Sequence, residues 1–405
     1  VELRRVIGVP TATGVGVAAM LGAGVFAVWA PAAGLAGAGL LVALGIAVLI
    51  AALNATSTTR LARAFPDSGG VYAFARGLGA PRLGFAAGAL FLVGKVASAA
   101  AIARVAGEYL ASGLTPGFAG PIAVALLAVL AVVNASGVRH TAVVSGATAT
   151  GVVTLLVIAD AVGLAHLGTP HPLDWPDAPA GLLPAATIIF FTFAGYARVA
   201  TLGGEVRDPR RTLPIAVTAA IGIVAVLATA TALILLLGLG TEALAASSSP
   251  LADLAGPGWR SYVIAAAVLA CVGSALGVLA GLSRTVQAMA AAGELPRGLR
   301  VLHERTATPV RADAVVAVLA AIATLVAPSA LLIGASAGAV LGYYAIAHLL
   351  AWRLGGLGGR LVAVVGGLGC LLLAAWAPPL ALLAAATVLV AAFLARALVR
   401  ARRHA

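Results

Sequence analysis

Charged residues are so scarce and so unevenly placed in this chain that they divide it into hydrocarbon-length segments. Of its 25 Lys and Arg residues, twenty-one fall in alternate gaps between long apolar runs. Lys and Arg are retained on the cytoplasmic face during membrane insertion, so a one-sided stripe of cations records topology. The net charge of +12 is therefore no nucleic-acid footprint. It is dispersed along the chain and interrupted by apolar spans, whereas a nucleic-acid domain gathers its charge on one face.

With 62% hydrophobic and 9% charged residues and a mean hydropathy of +1.10, the chain exceeds what a water-soluble domain can cover. In lipid the backbone must satisfy its own polar groups, which leaves helices or closed barrels. The runs are about 20 residues long and do not alternate with polar residues, which selects an all-α polytopic membrane protein. Twelve transmembrane helices are expected, near 11–33, 37–60, 84–110, 118–136, 142–167, 181–203, 213–239, 260–289, 311–327, 329–352, 360–377 and 379–398. Cations favour an N-terminus and a C-terminus both on the cytoplasmic side. Lys95 is the sole Lys, every other cation being Arg, and Ala, Gly and Val dominate. That bias suggests a GC-rich bacterial source and hence the inner (plasma) membrane. Arg4 and Arg5 before an apolar run imitate a signal peptide, but Gly14, Gly16, Gly22 and Gly24 interrupt that run, and an uncleaved first helix is expected. The segment Arg60–Arg82, with Tyr72, Phe74 and Arg76, is too polar to span and reads as an interfacial helix; Arg284–Arg311 has similar character. The Pro-rich stretch 169–180 reads as an ordered turn. Cys271 and Cys370 lie in apolar runs and are expected to be buried free thiols.

Two spans carry their own interruption. The first contains Met20-Leu21-Gly22-Ala23-Gly24-Val25-Phe26, and the sixth contains Phe190-Phe191-Thr192-Phe193-Ala194-Gly195-Tyr196. Glycine is costly inside a helix, so these stretches favour local unwinding. Unwound backbone at membrane depth is tolerated only where protein or a polar cavity receives it. Being five spans apart, the two helices cross in opposite directions, the arrangement expected of a midplane transport site. Amides after Gly24 would suit a carboxylate, and carbonyls near Met20, Phe191 and Ala194 an ammonium. A zwitterion fits such poles without any ionised side chain. The competing reading is close helix packing by small residues.

These residues resemble a known family. Gly22-Ala23-Gly24-Val25-Phe26 is similar to the first-helix signature of amino acid–polyamine–organocation (APC) superfamily permeases, and so is Phe65-Pro66-Asp67-Ser68-Gly69-Gly70-Val71-Tyr72 after the second span. Phe193-Ala194-Gly195-Tyr196, followed by Glu205-Val206-Arg207-Asp208-Pro209, is similar to the sixth-helix signature. Ala288-Met289-Ala290, Gly293-Glu294-Leu295-Pro296 and Thr308-Pro309 resemble the segment after helix eight. The resemblance implies a five-plus-five inverted repeat with broken helices 1 and 6, plus two C-terminal helices, and amino-acid transport by alternating access. It divides the chain into a transport core, 1–355, with repeats near 11–167 and 181–352, and an appendage, 356–405. By position it implies that Gly22, Ala23 and Gly24 hold the substrate carboxylate, that carbonyls of Met20, Phe191 and Ala194 hold its amino group, and that Phe193 is a gate. Two positions depart from the family. Ala197 stands where many relatives have an acid, and Val152 where some proton-coupled relatives have a Lys, so the coupling ion, proton or sodium, is unassigned.

Ionisable residues inside the membrane mark function by default. Lys95 lies near the centre of the third span, where an ammonium needs a cavity or partner; it is expected either to face the vestibule, relaying a proton or biasing substrate charge, or to bond backbone carbonyls of the broken helices. Arg198 is a candidate inner-gate residue pairing with Glu205 or Asp208, or a snorkelling anchor. Asp160 reads as a helix-end acceptor or a coupling site. Arg104 and Glu108 have the spacing of a local ion pair. His348 reads as a satisfied core histidine. No acidic side chain lies near either break, which favours neutral amino acids. No cofactor motif is evident. Gly334-Ala335-Ser336-Ala337-Gly338 matches G-x-S-x-G, but a nucleophile elbow needs a strand–turn–helix context. The reading is a secondary transporter of amino acids, not an enzyme; an intramembrane serine hydrolase using Ser336 and an uncoupled facilitator of the same fold are the alternatives.

Overall fold

A computed structural model describes residues 7–65, 70–112, 116–136, 138–173, 175, 179–196, 199, 206–304, 306 and 308–404. The apolar runs are helical. The first holds α1 (Val9–Met20), α2 (Ala23–Ala27) and α3 (Trp29–Ala36), and the second holds α4 (Leu40–Ala64). Within the polar segment Arg60–Arg82 lies the short helix α5 (Gly70–Gly77), which buries Val71, Tyr72, Phe74 and Ala75. There follow α6 (Pro81–Ala111), α7 (Ala119–Ala135) and α8 (Val138–Ala165). The sixth run holds α9 (Leu182–Phe193), closed by a 3₁₀ turn at Ala194–Tyr196. Then come α10 (Pro209–Ala246), the short α11 (Pro250–Ala255), α12 (Pro257–Ala291), α13 (Val310–Val326), α14 (Ser329–Ala351), α15 (Leu357–Ala375) and α16 (Pro379–His404). Eight helical stretches among the described residues are long and apolar enough to cross a bilayer.

Proline places several of these starts. Pro81, Pro209, Pro250 and Pro257 stand in the first turn of α6, α10, α11 and α12, where a missing amide costs nothing. The long α10 bends at Gly240 (φ 72°), whose left-handed backbone an L side chain would resist. Residue 240 also lies against the His171 ring, and His171 N donates to Leu237 O at 2.9 Å, so the chain at His171 lies against α10.

Small residues set the helix spacing. A Cβ added at Gly94 of α6 would sit 2.8 Å from Val340 Cγ2 of α14, and one at Gly88 would sit 2.8 Å from Met289 Sδ of α12. Close backbone approach of this kind drives helix association where lipid removes the hydrophobic incentive. The outer face of α15 stays apolar and uncovered, with Leu357, Leu361 and Leu368 exposed. In the described residues the backbone forms one isolated parallel bridge, Ile7 to Val206, with Arg207 N donating to Ile7 O at 2.8 Å.

At one end of the bundle a buried ion network ties the last helix to the rest. Glu294, in the turn after α12, lies 2.8 Å from Arg396 of α16 and 3.5 Å from Arg76 of α5. Arg396 also lies 4.4 Å from the Phe85 ring centroid. Tyr72 packs beside Glu294, and burial with that neighbouring carboxylate pushes its phenol up to about 12. Both cysteines are free and buried.

Candidate functional site

The first run breaks where its glycines predict. Helix α1 ends at Met20; Leu21 (ψ 42°) and Gly22 (ψ −143°) leave helical geometry, and α2 starts at Ala23. Beyond the break the helix resumes with little interruption, since Val28 N donates to Gly24 O and Ala32 N to Val28 O. Tyr109 of α6 steadies this half by donating to Phe26 O at 3.0 Å. The sixth run tightens from α-helix to 3₁₀ at Ala194, whose amide caps Phe191 O. Thus residues 20–25 are not a continuous coil, whereas 191–196 pass directly from α-helix into a 3₁₀ turn.

The two interruptions touch. A Cβ added at Gly195 would overlap the carbonyl of Ala19 and press on Met20 N. A Cβ at Gly24 would lie 2.7 Å from both Cα and Oγ1 of Thr192. Each glycine is thus the space into which the opposite backbone fits. On a third side, Gly22 rests on Ser274 of α12, where any Cβ would collide with the Ser274 side chain. Met20, Ala23, Gly24, Phe191, Phe193 and Ala194 are all buried here.

Thr192 and Ser274 are the neighbours that sequence reasoning passed over. Thr192 Oγ1 is buried with no hydrogen-bond partner, although Thr187, one and a half turns earlier, bonds back to Leu183 O at 2.9 Å. A hydroxyl kept off its own helix at a broken-helix contact is a signal that a sequence cannot display. Phe193, read as a gate, is fully buried in the bundle.

Lys95 reaches this place from α6. Its Nζ donates to Ala194 O at 3.3 Å and lies 5.9 Å from the Phe91 ring centroid. The expected contact with a carbonyl of the sixth run is observed. With it, two of the three carbonyls assigned to the substrate amino group, Ala194 O and Phe191 O, already accept a hydrogen bond. Asp160 is elsewhere: both its oxygens accept from Thr231 Oγ1 of α10, at 2.9 and 3.1 Å, so it joins α8 to α10 rather than finishing a helix. Arg198 and Glu205 lie outside the described residues. Arg104 and Glu108 pair at 3.2 Å, and Arg104 also donates to Thr324 O.

Ser336 stands inside the unbroken α14 and is hydrogen-bonded to Ser98 at 2.6 Å. His348 spends both ring nitrogens on Ser57 Oγ and Asn54 Oδ1, each at 2.8 Å, and Cys370 also donates to Asn54. Neither residue has the surroundings of a catalytic pair. Among the described residues no three His, Cys, Asp or Glu side chains converge as metal ligands.

Comparison with known proteins decides the family. The profile of the family described as Amino acid permease matches residues 7–394. The chain belongs to the amino acid permease family. It is a multi-pass membrane transport protein of the APC superfamily, which accords with the helical bundle and its apolar surface. An uncharacterized transporter of Mycobacterium tuberculosis is 42% identical over 95% of this chain and 88% of its own length. Cationic amino acid transporter 7 of Arabidopsis thaliana is 26% identical over 87% of this chain and 66% of its own length. An inner membrane transport protein of Escherichia coli is 28% identical over 56% of this chain and 55% of its own length.

Proposed function

We propose that this permease is a secondary transporter that moves neutral amino acids across a bacterial inner membrane by alternating access. The observation that carries the reading is the mutual fit of the two breaks, Gly195 against Ala19–Met20 and Gly24 against Thr192. Two interrupted helices meeting through bare backbone offer amide and carbonyl poles, with α2–α3 directing its amino-terminal amides at the contact. The substrate carboxylate rests on the amides of Gly22, Ala23 and Gly24. Its amino group is held by the carbonyls of Met20 and Phe191. Thr192 Oγ1 and Ser274 Oγ add hydroxyls at the edge of the same place. The chain crosses twelve times with both termini cytoplasmic; 1–355 forms the inverted-repeat core and 356–405 the appended helices.

Neutral substrates are favoured because neither Met20–Phe26 nor Phe190–Tyr196 contains an Asp or Glu to pair with a cationic side chain. The plant relatives carry a name for cationic amino acids, yet their identity to this chain is 26%. The test is exchange of radiolabelled amino acids in proteoliposomes, with and without a pH gradient. Saturable uptake of neutral amino acids, driven or accelerated by the gradient, is expected. Flux that merely dissipates the solute gradient would replace this reading with a facilitator, and labelling of Ser336 by a serine-reactive probe with no flux would replace it with an enzyme.

A further inference from the structure

The second break already holds a positive charge. Lys95 Nζ sits on Ala194 O, with the face of Phe91 as its other neighbour, and the residue is 8% exposed. A carbonyl and a ring orient an ammonium but do not cancel it. Among the described residues no carboxylate oxygen approaches Nζ within 4.0 Å. The buried acids are engaged elsewhere: Glu108 by Arg104, Asp160 by Thr231, Glu294 by Arg76 and Arg396, and Asp313 by Asn134. Little water reaches the charge, so its field at the break is weakly screened.

We propose that Lys95 is the charge filter of this permease: seated on the Ala194 carbonyl at the second break, it excludes amino acids whose side chain carries an ammonium or guanidinium group. The inference deepens the amino-acid reading above and rests on it. A zwitterion brings one ammonium to the carbonyl pole and balances it with its own carboxylate on the amides of Gly22–Gly24. A dibasic amino acid brings a second cation that finds Ala194 O taken and Lys95 beside it. For like charges about 6 Å apart in an effective dielectric of about 20, binding falls roughly a hundredfold. A neutral amide or hydroxyl side chain meets no such penalty.

The experiment uses the full chain in proteoliposomes, with radiolabelled L-alanine, L-leucine, L-glutamine, L-lysine and L-arginine offered singly and in competition. Wild type is expected to take up one or more of the neutral three, with L-lysine and L-arginine at least about tenfold poorer as substrates and as competitors. Lys95→Met is expected to raise uptake or competition by L-arginine at least tenfold relative to the neutral substrate, whereas Lys95→Arg, which keeps the charge, retains exclusion. A mere packing role for Lys95 would change both substrate classes equally. Wild type moving L-arginine as readily as neutral substrates, or Lys95→Met with an unchanged arginine-to-neutral ratio, overturns the filter while leaving amino-acid transport intact. If Lys95→Met fails to reach the membrane, Lys95→Gln and the wild-type arginine ratio decide the matter. Wild type moving none of the five and bound by none overturns the amino-acid reading itself, and the filter falls with it.

Discussion

Lys95 and His348 are both polar side chains buried among apolar helices, 8% and 1% exposed, yet their surroundings are opposite in kind. His348 is fully served, with Ser57 on one nitrogen, Asn54 on the other, and Cys370 sharing the Asn54 oxygen. Lys95 has one long bond to a backbone carbonyl and a ring face. The His348 cluster ties α4, α14 and α15 together, and with both ring nitrogens engaged His348 has nothing left to offer a ligand. An underserved cation at a helix break has spare bonding capacity and a spare charge. In a membrane interior the number of partners, more than burial, separates scaffold from machinery.

The contrast can be broken or sharpened by substitution. The largest effect is expected at the meeting of the two breaks. Gly195→Ala places a methyl on the Ala19 carbonyl, at a cost of roughly 1–3 kcal/mol or more in overpacking, and proteoliposome uptake should fall by at least an order of magnitude while the protein still elutes as a monodisperse species. Uptake at the wild-type rate would show that the contact is incidental. Next comes the scaffold. Glu294→Gln removes the carboxylate charge shared by Arg76 and the buried Arg396, a loss of about 3–5 kcal/mol. A fall in melting temperature in detergent, with α16 the first segment to gain hydrogen exchange, checks this. His348→Ala removes the partner of Ser57 and one of the two donors to Asn54 Oδ1, costing about 1–3 kcal/mol, and should lower thermal stability without altering the ratio of substrates transported. A shifted ratio would put His348 in the machinery and undo the comparison.

Lys95→Met should show the reverse pattern. Replacing a poorly paired buried ion by an apolar chain of similar length is often neutral or stabilising, so its melting temperature should stay level or rise while selectivity changes. The smallest effect is expected at Glu108→Gln. That pair is about a quarter exposed and spans one helical turn, so stability should move by no more than about 1 kcal/mol in the same melting assay.

Much of this architecture was legible before any coordinates. Apolar length, which acts locally along the chain, places most helices to within a few residues, although α10 and α16 run on past their expected ends. The Gly22–Gly24 and Gly195 interruptions were legible for the same reason, as was the Arg104–Glu108 pair. The local signal ends where partners come from distant sequence. Nothing near Lys95 names Ala194, 99 positions away, and nothing near Gly22 names Ser274. Asp160 looked like a helix-end acceptor because its position on α8 is all that the sequence shows; Thr231 supplies the rest from another helix. Thr192 was hidden differently. Its residue type suggests a bond to its own helix, and only the fold reveals that the bond is not made.

The Ile7–Val206 bridge has a mechanical corollary. It joins the lead-in to α1 to the residue that feeds α10, adding a backbone hydrogen bond to the packing of α1 on α10, where Gly16 lies against Ala220. A rocking movement cannot slide one past the other there without first unzipping the Arg207 amide from Ile7. A clamp of two residues thereby adds to the cost of parting the approach to α1 from the approach to α10.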